Sequence, residues 1–202
     1  LAMNCGDYVV TEAGFGADLG FEKFMDIKVR QGGPEPSLAV VVTTIRGLKW
    51  HGGVAINDMD SPNLEAVRKG SENLKNALRI VNIYGLPAVV AINRFPTDSK
   101  DEIEVVKEVA KSAGAISVEE ANGFVSGGDG MTELAAAVVE AANQPSEVKL
   151  LYEDKDSFFD KVEYLAKSLY LSGNVTWGPM TKTTARRFSS NGWDFPVCMA
   201  KT

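Results

Sequence analysis

The sequence holds little of what metal centres and thiol chemistry need. Its 202 residues include two cysteines, Cys5 and Cys198, and one histidine, His51. Thiols so far apart provide neither metal-ligand spacing nor a disulfide framework, so free thiols in a reducing, cytoplasmic compartment are expected. Positive charge is also short. A net charge of −6 and a pI near 4.9 argue against a nucleic-acid partner, which needs a basic footprint. They leave room for an anionic nucleotide, because a single turn can be positive in an acidic protein. No apolar run approaches the length of a membrane span, and no basic segment followed by an apolar core opens the chain. The phosphate-cradling pattern G-x-x-x-x-G-K-[ST] does not occur. Gly173 and Gly178 have its glycine spacing, but Pro179 and Met180 follow, and Lys182-Thr183-Thr184 lacks the preceding glycine. Any ATP-binding P-loop is expected outside these residues.

What is present reads as an α/β protein. Hydrophobic content of 45% against 24% charged residues suits one large domain, or parts of two. Near-continuous apolar runs at Tyr8–Val10, Leu38–Ile45 and Pro87–Ile92 predict buried strands, with a weaker strand at Ala115–Val118 and a last one at Phe195–Ala200. Between them, helical spacing marks Phe21–Arg30, Asn63–Tyr84, Lys100–Ala113, Met131–Ala142, Asp156–Leu171 and Thr183–Asn191. Strand and helix in alternation predict a parallel sheet with flanking helices. The chain begins at Leu1 and stops just after an apolar run, and is read as an internal piece of a longer polypeptide.

In a parallel sheet, ligands bind beyond the carboxyl ends of the strands. Three strand ends carry the useful groups: Thr11-Glu12 with glycines at 14, 16 and 20; Arg46–Gly53, holding Lys49 and His51; and Asn93–Asp98. A nucleotide site needs this assortment, a hard carboxylate for Mg²⁺, cations for phosphate and amides for a base. Each has a plainer reading. Glu12 suits an ordinary strand-to-helix turn, His51 a local turn hydrogen bond, Asn93-Arg94 a polar lead into a helix, and Phe195-Pro196 the core. Gly127-Gly128-Asp129-Gly130 is best read as a turn before a helix.

Taken together, Asp7–Gly20, Glu22-Lys23-Phe24, Leu48–Gly53, Ala91–Asp98 and Pro196–Thr202 closely resemble formate–tetrahydrofolate ligases, in the family's order and along the whole chain. The resemblance implies a P-loop NTPase-like core of the dethiobiotin synthetase kind. Residues 1–145 would be part of its nucleotide-binding domain, and 146–202 a helical segment and strand leading to the folate side. It implies ATP-dependent ligation of formate to tetrahydrofolate with Mg²⁺ and a monovalent cation (K⁺ or NH₄⁺), in a homotetramer. Carried over, Glu12 and Gly14 would face Mg²⁺ and phosphate, with Glu12 both catalytic and metal-binding. Asn93, Arg94, Phe95 and Asp98 would line the nucleotide. Lys49 and His51 would stand near the transferred group, and Phe195 and Pro196 would form the wall for a pterin. Trp50, the short loop Val54–Asp60 and Trp193-Asp194-Phe195 depart from the family pattern. With P-loop and C-terminal region outside it, the piece alone is expected to be inactive. The alternative is a truncated, non-catalytic homologue that serves as a binding or assembly module.

Overall fold

Two of the predicted strands are rich in β-branched residues, and these pair with a third. Ala39–Thr43 (β1), Ala88–Asn93 (β2) and Ser117–Ala121 (β3) form a parallel sheet in the order β1-β2-β3. Thr43 lies opposite Ile92, and Asn93 opposite Ala121, so all three strands end at one edge. The computed structural model describes residues 2–193 and 195–200. Leu1, Asp194, Lys201 and Thr202 lie outside it, including one residue of the Trp193–Phe195 departure and two of the closing family-like block. The chain forms two units, Pro34–Lys149 and a discontinuous one made from Leu1–Gly33 with Leu150–Thr202. Residues 1–33 therefore group with the C-terminal stretch.

In the Pro34–Lys149 unit, the sheet is flanked by Ile45–His51 (α1), Leu64–Gly70 (α2), Glu72–Ile83 (α3), Lys100–Ser112 (α4), Gly123–Ser126 (α5) and Thr132–Ala142 (α6). β2 is the buried centre, with Ala88 to Ile92 inaccessible and only Asn93 emerging. β1 differs from its expectation. Val40 and Val42 are 41% and 65% exposed, because β1 is the edge strand and its other face has no cover among the described residues. The long helix expected over 63–84 is broken at Ser71, whose hydroxyl donates to the Val67 carbonyl (2.7 Å). Arg46–Gly53, expected as a turn, is mostly helix: Thr44 accepts the Gly47 N–H (3.0 Å) and starts α1 early. α4 begins with the capping box that Ser99 and Glu102 encode.

Gly70 lets α2 approach α1, since a Cβ there would lie 1.8 Å from the Leu48 carbonyl oxygen. Gly70→Ala is therefore expected to force the pair apart at a cost of about 1–3 kcal/mol, read as a lower urea midpoint. An unchanged midpoint would show that the pair has slack. Gly85, with φ of +79°, ends the α3 segment in the conformation only glycine adopts freely.

The discontinuous unit contains Phe158–Ser168 (α7), Pro179–Ser190 (α8) and two wide-turn helical stretches, Ala17–Phe21 and Phe24–Val29. Ser157 caps α7 and Pro179 opens α8. The buried face over 22–29 consists of Glu22, Met25, Asp26 and Val29, at helical spacing but with two carboxylates in it. Two expected strands are absent. Tyr8–Val10 pairs with no strand among the described residues, and Val10 is 91% exposed. Phe195–Ala200 pairs with no strand among the described residues either, and is held by the side chains of Tyr152, Glu22 and Lys161.

Candidate functional site

In the Pro34–Lys149 unit, the sheet edge presents the Asn93–Asp98 turn. Asn93 and Phe95 are exposed at the end of β2. The Arg94 N–H donates to the Ala121 carbonyl (3.1 Å), which continues the β2–β3 ladder by one residue. Its guanidinium is engaged by Glu120 on β3 (3.0 Å). Arg46 of α1 lies over the Phe95 ring at 5.6 Å, so an aromatic face and a cation meet at this edge.

Asp98 sits beneath the turn instead of at its surface. Its Oδ2 accepts the Phe95 N–H (2.8 Å), while Oδ1 has no hydrogen-bond partner among the described residues. Burial raises the Asp98 pKa, against the lowering effect of the Phe95 N–H and of Lys49. Lys49, expected near the transferred group, is wholly buried. Its ammonium is bound by Glu102 (3.0 Å) and the Ser61 carbonyl (3.2 Å). His51, the last residue of α1, is exposed.

Glu102 was not among the residues singled out from the sequence. Besides Lys49 it accepts the N–H groups of Asn63 (2.9 Å) and Ser99 (3.0 Å) and the Ser99 hydroxyl (2.7 Å). Burial pushes its pKa up, but these donors outweigh burial and hold it below the ordinary value. One carboxylate thus ties together α1, α4 and the approach to α2. The signal for it in the sequence was the capping pair alone.

Glu12 and Gly14 belong to the discontinuous unit and are exposed. No group of three or more His, Cys, Asp or Glu able to hold a metal occurs among the described residues. Mg²⁺ commonly takes one or two carboxylates and completes its shell with water and phosphate oxygens. A single exposed Glu12 fits that role.

The same unit holds a cavity of about 310 Å³ walled by Phe158, Phe188, Trp193, Phe195 and Pro196. Phe188 and Trp193 are 5.7 Å apart, and Trp193 and Phe195 6.2 Å. Phe195 is 61% exposed, which overturns its plainer reading as a core residue. Side chains set the wall in place. The Tyr152 hydroxyl donates to the Val197 carbonyl and accepts the Val197 N–H, both at 2.7 Å. Burial, opposed by that backbone contact, pushes the Tyr152 pKa up to about 12. Glu22 accepts the Met199 N–H at 2.9 and 3.2 Å. Lys161 donates to the Phe195 carbonyl at 3.4 Å. The Cys198 thiol is raised first by burial and then by Glu22, so it is no ready nucleophile at neutral pH. The density of Phe and Trp between 158 and 195 was the available signal for this cavity.

Against known proteins, the family profile described as formate–tetrahydrofolate ligase matches residues 1–202. Proteins named formate–tetrahydrofolate ligase from Symbiobacterium thermophilum and a Nocardioides species are each 46% identical to it, over 100% and 99% of this chain. One of that name from Desulforamulus reducens is 42% identical over 100% of it. The chain spans only 36–37% of the length of these three relatives. No described helix is long and apolar enough to cross a membrane.

Proposed function

Because the chain belongs to the formate–tetrahydrofolate ligase family, matched from end to end, we propose that it is a section of an ATP-dependent ligase that joins formate to tetrahydrofolate. That match, along all 202 residues of this chain, is the observation that carries the reading. The sheet edge and the aromatic cavity support it, one by its exposed polar and aromatic groups, the other by a flat-walled shape. In the proposed reaction a formate oxygen attacks the γ-phosphorus of ATP, releasing ADP and forming formyl phosphate. N10 of tetrahydrofolate then attacks the formyl carbon, the C–O bond to phosphate breaks, and N10 loses its proton. The products are 10-formyltetrahydrofolate and inorganic phosphate.

Catalysis of this kind is mostly positioning and neutralisation of charge. Asn93 and Phe95 are exposed at the end of β2, suited to an amide hydrogen bond and a stacking face for adenine. Arg94 and Asp98 hold that turn through Glu120 and the Phe95 N–H. His51 is available to the transferred group, and Lys49 supports α1 from beneath through Glu102. Glu12 would supply a Mg²⁺ ligand and Gly14 would face the phosphates, where Mg²⁺ would neutralise phosphoryl charge. Phe195 and Pro196 offer the pterin its wall. The P-loop, in a core of the dethiobiotin synthetase kind, and the K⁺ or NH₄⁺ site lie on other parts of the cytoplasmic, homotetrameric whole.

The test is a paired assay. The full-length polypeptide that contains this chain is expected to make 10-formyltetrahydrofolate only when ATP, formate and Mg²⁺ are all present. The 202-residue chain alone is expected to make none. Failure of the full-length protein to turn over would favour the non-catalytic binding module, and turnover by the isolated chain would overturn the division of the site.

A further inference from the structure

Arg46 comes just after the end of β1, and its guanidinium lies 5.6 Å over the ring of Phe95, just after the end of β2. Of the other cations that follow these two strands, Lys49 is buried against Glu102 (3.0 Å). Arg94 is tied to Glu120 (3.0 Å), a strand residue that also accepts from Lys107 (3.2 Å). Arg46 is held more loosely. Its Nη1 donates to Asp60 (2.7 Å), and no other acceptor meets the guanidinium among the described residues. A guanidinium has about five N–H donors, so most of them are unspent. Asp60 belongs to the loop after the short turn Ile56–Asp58, and its side chain is 66% exposed against 37% for Arg46. An ion pair so open to water is worth little, and a better anion can displace it.

We propose that Arg46 binds a substrate oxyanion, a carboxylate or a phosphate, beyond the ends of β1 and β2, and that Asp60 is the internal anion the substrate displaces. Ligands of parallel sheets bind at this edge. The planar fork of arginine takes either oxyanion through two parallel N–H donors, and such charge-assisted pairs are stronger than neutral hydrogen bonds. Asp60 engages one donor only. A ligand that presents two oxygens therefore gains a contact in the exchange, whereas one that presents a single oxygen does no better than Asp60. The Phe95 ring keeps the guanidinium at the edge by a cation–π contact. The inference rests on the ligase reading above, whose three substrates all carry oxyanions: formate itself, the phosphates of ATP and the glutamate carboxylates of tetrahydrofolate.

The test compares the full-length parent polypeptide with Arg46→Gln, Arg46→Lys and Asp60→Asn. KM is measured for formate, Mg²⁺-ATP and tetrahydrofolate in turn, with the other two saturating, and the urea midpoint is measured alongside. Arg46→Gln is expected to raise the KM of one substrate by about tenfold or more, with the other two and the midpoint little changed. Arg46→Lys keeps the charge but loses the fork, and should recover only part of that loss. Asp60→Asn removes the competing anion and should lower the same KM. The substrate affected identifies the oxyanion: the formate carboxylate, an ATP phosphate or a folate glutamate. If the parent is active and Arg46→Gln leaves all three constants unchanged, the role of Arg46 falls and the ligase reading stands. If Arg46→Gln lowers the midpoint and raises all three equally, or if Asp60→Asn raises the constant that Arg46→Gln raises, the pair only braces the loop and the proposal is overturned. If the parent makes no product, the ligase reading falls and the proposal with it.

Discussion

Glu102→Ala is expected to destabilise the Pro34–Lys149 unit by about 3–5 kcal/mol, the cost of leaving a buried partner charge uncompensated. Lys49 would lose its ion-pair partner at 3.0 Å while remaining inaccessible. The Asn63 and Ser99 N–H groups would lose their acceptor too, and the capping box of α4 would be halved. The two halves of the ion pair should be strongly coupled. Lys49→Met combined with Glu102→Ala should cost less than the sum of the single changes, since removing both charges removes the unpaired one. Urea unfolding across this double-mutant cycle checks the coupling, and additive costs would show that the pair carries no energy of its own. The pH sign also follows. Glu102 is held below its ordinary pKa, so the stability it contributes is present above the unfolded-state value. That stability is lost as pH falls through the folded-state value. Acid should therefore weaken the parent more than the doubly substituted chain.

Glu22 should give the opposite dependence, in the discontinuous unit. Burial carries its pKa from 4.5 up to about 7. The Met199 N–H opposes this, Asp26 and Asp18 add to it, and Tyr170 opposes it. Between those two values the folded protein keeps a proton that the unfolded chain releases. Stability is then full below pH 4.5 and falls as pH rises toward 7, by roughly 3 kcal/mol across the window. Glu22→Gln cannot ionise, and its amide oxygen can still accept the Met199 N–H. It should match the parent at pH 4.5 and exceed it above pH 7. The comparison isolates Glu22 from Asp98, whose pKa is also raised, because both proteins carry Asp98. Parallel stability curves for the two proteins from pH 5 to 8 would refute the assignment.

Both residues bear on function through what they hold. Glu22 tethers the Met199 end of the segment whose Phe195 end walls the cavity. Glu102 ties α1, which carries Arg46 and His51, to the start of α4, directly after the Asn93–Asp98 turn. Loss of either should therefore disturb ligand binding as well as stability, through geometry and not contact.

Much of the α/β order was legible in the residues alone. The β-branched runs at Leu38–Ile45 and Pro87–Ile92, the Ser99–Glu102 cap and the glycine stop at Gly85 are local signals. Local structure obeyed them. The same holds for Asn93 and Phe95, because a strand that ends where its apolar run ends delivers its next residues to the sheet edge. The family resemblance was likewise a property of sequence, since it rests on runs of residues in order.

Elsewhere the local signal was not sufficient. Tyr8–Val10 and Phe195–Ala200 have strand-like composition, but a strand exists only where a neighbour's backbone answers its own. Among the described residues, the second of these is answered by Tyr152, Glu22 and Lys161 instead. Lys49 shows the same limit for charge. Beside His51 and two glycines it reads as a surface cation, yet Thr44 starts a helix whose inward face includes position 49. Which way a side chain points depends on the exact start of its helix, and which carboxylate it meets depends on an element some fifty residues away in sequence. The sequence by itself determined the parallel α/β order, the family and the residues at the β2 end. Only the tertiary structure decided that Lys49 and Asp98 are buried, that Glu102 and Glu22 are structural ties, and that Lys161 lines the aromatic cavity. Burial and pairing are set by contacts between distant segments, and those contacts leave no local pattern in the chain.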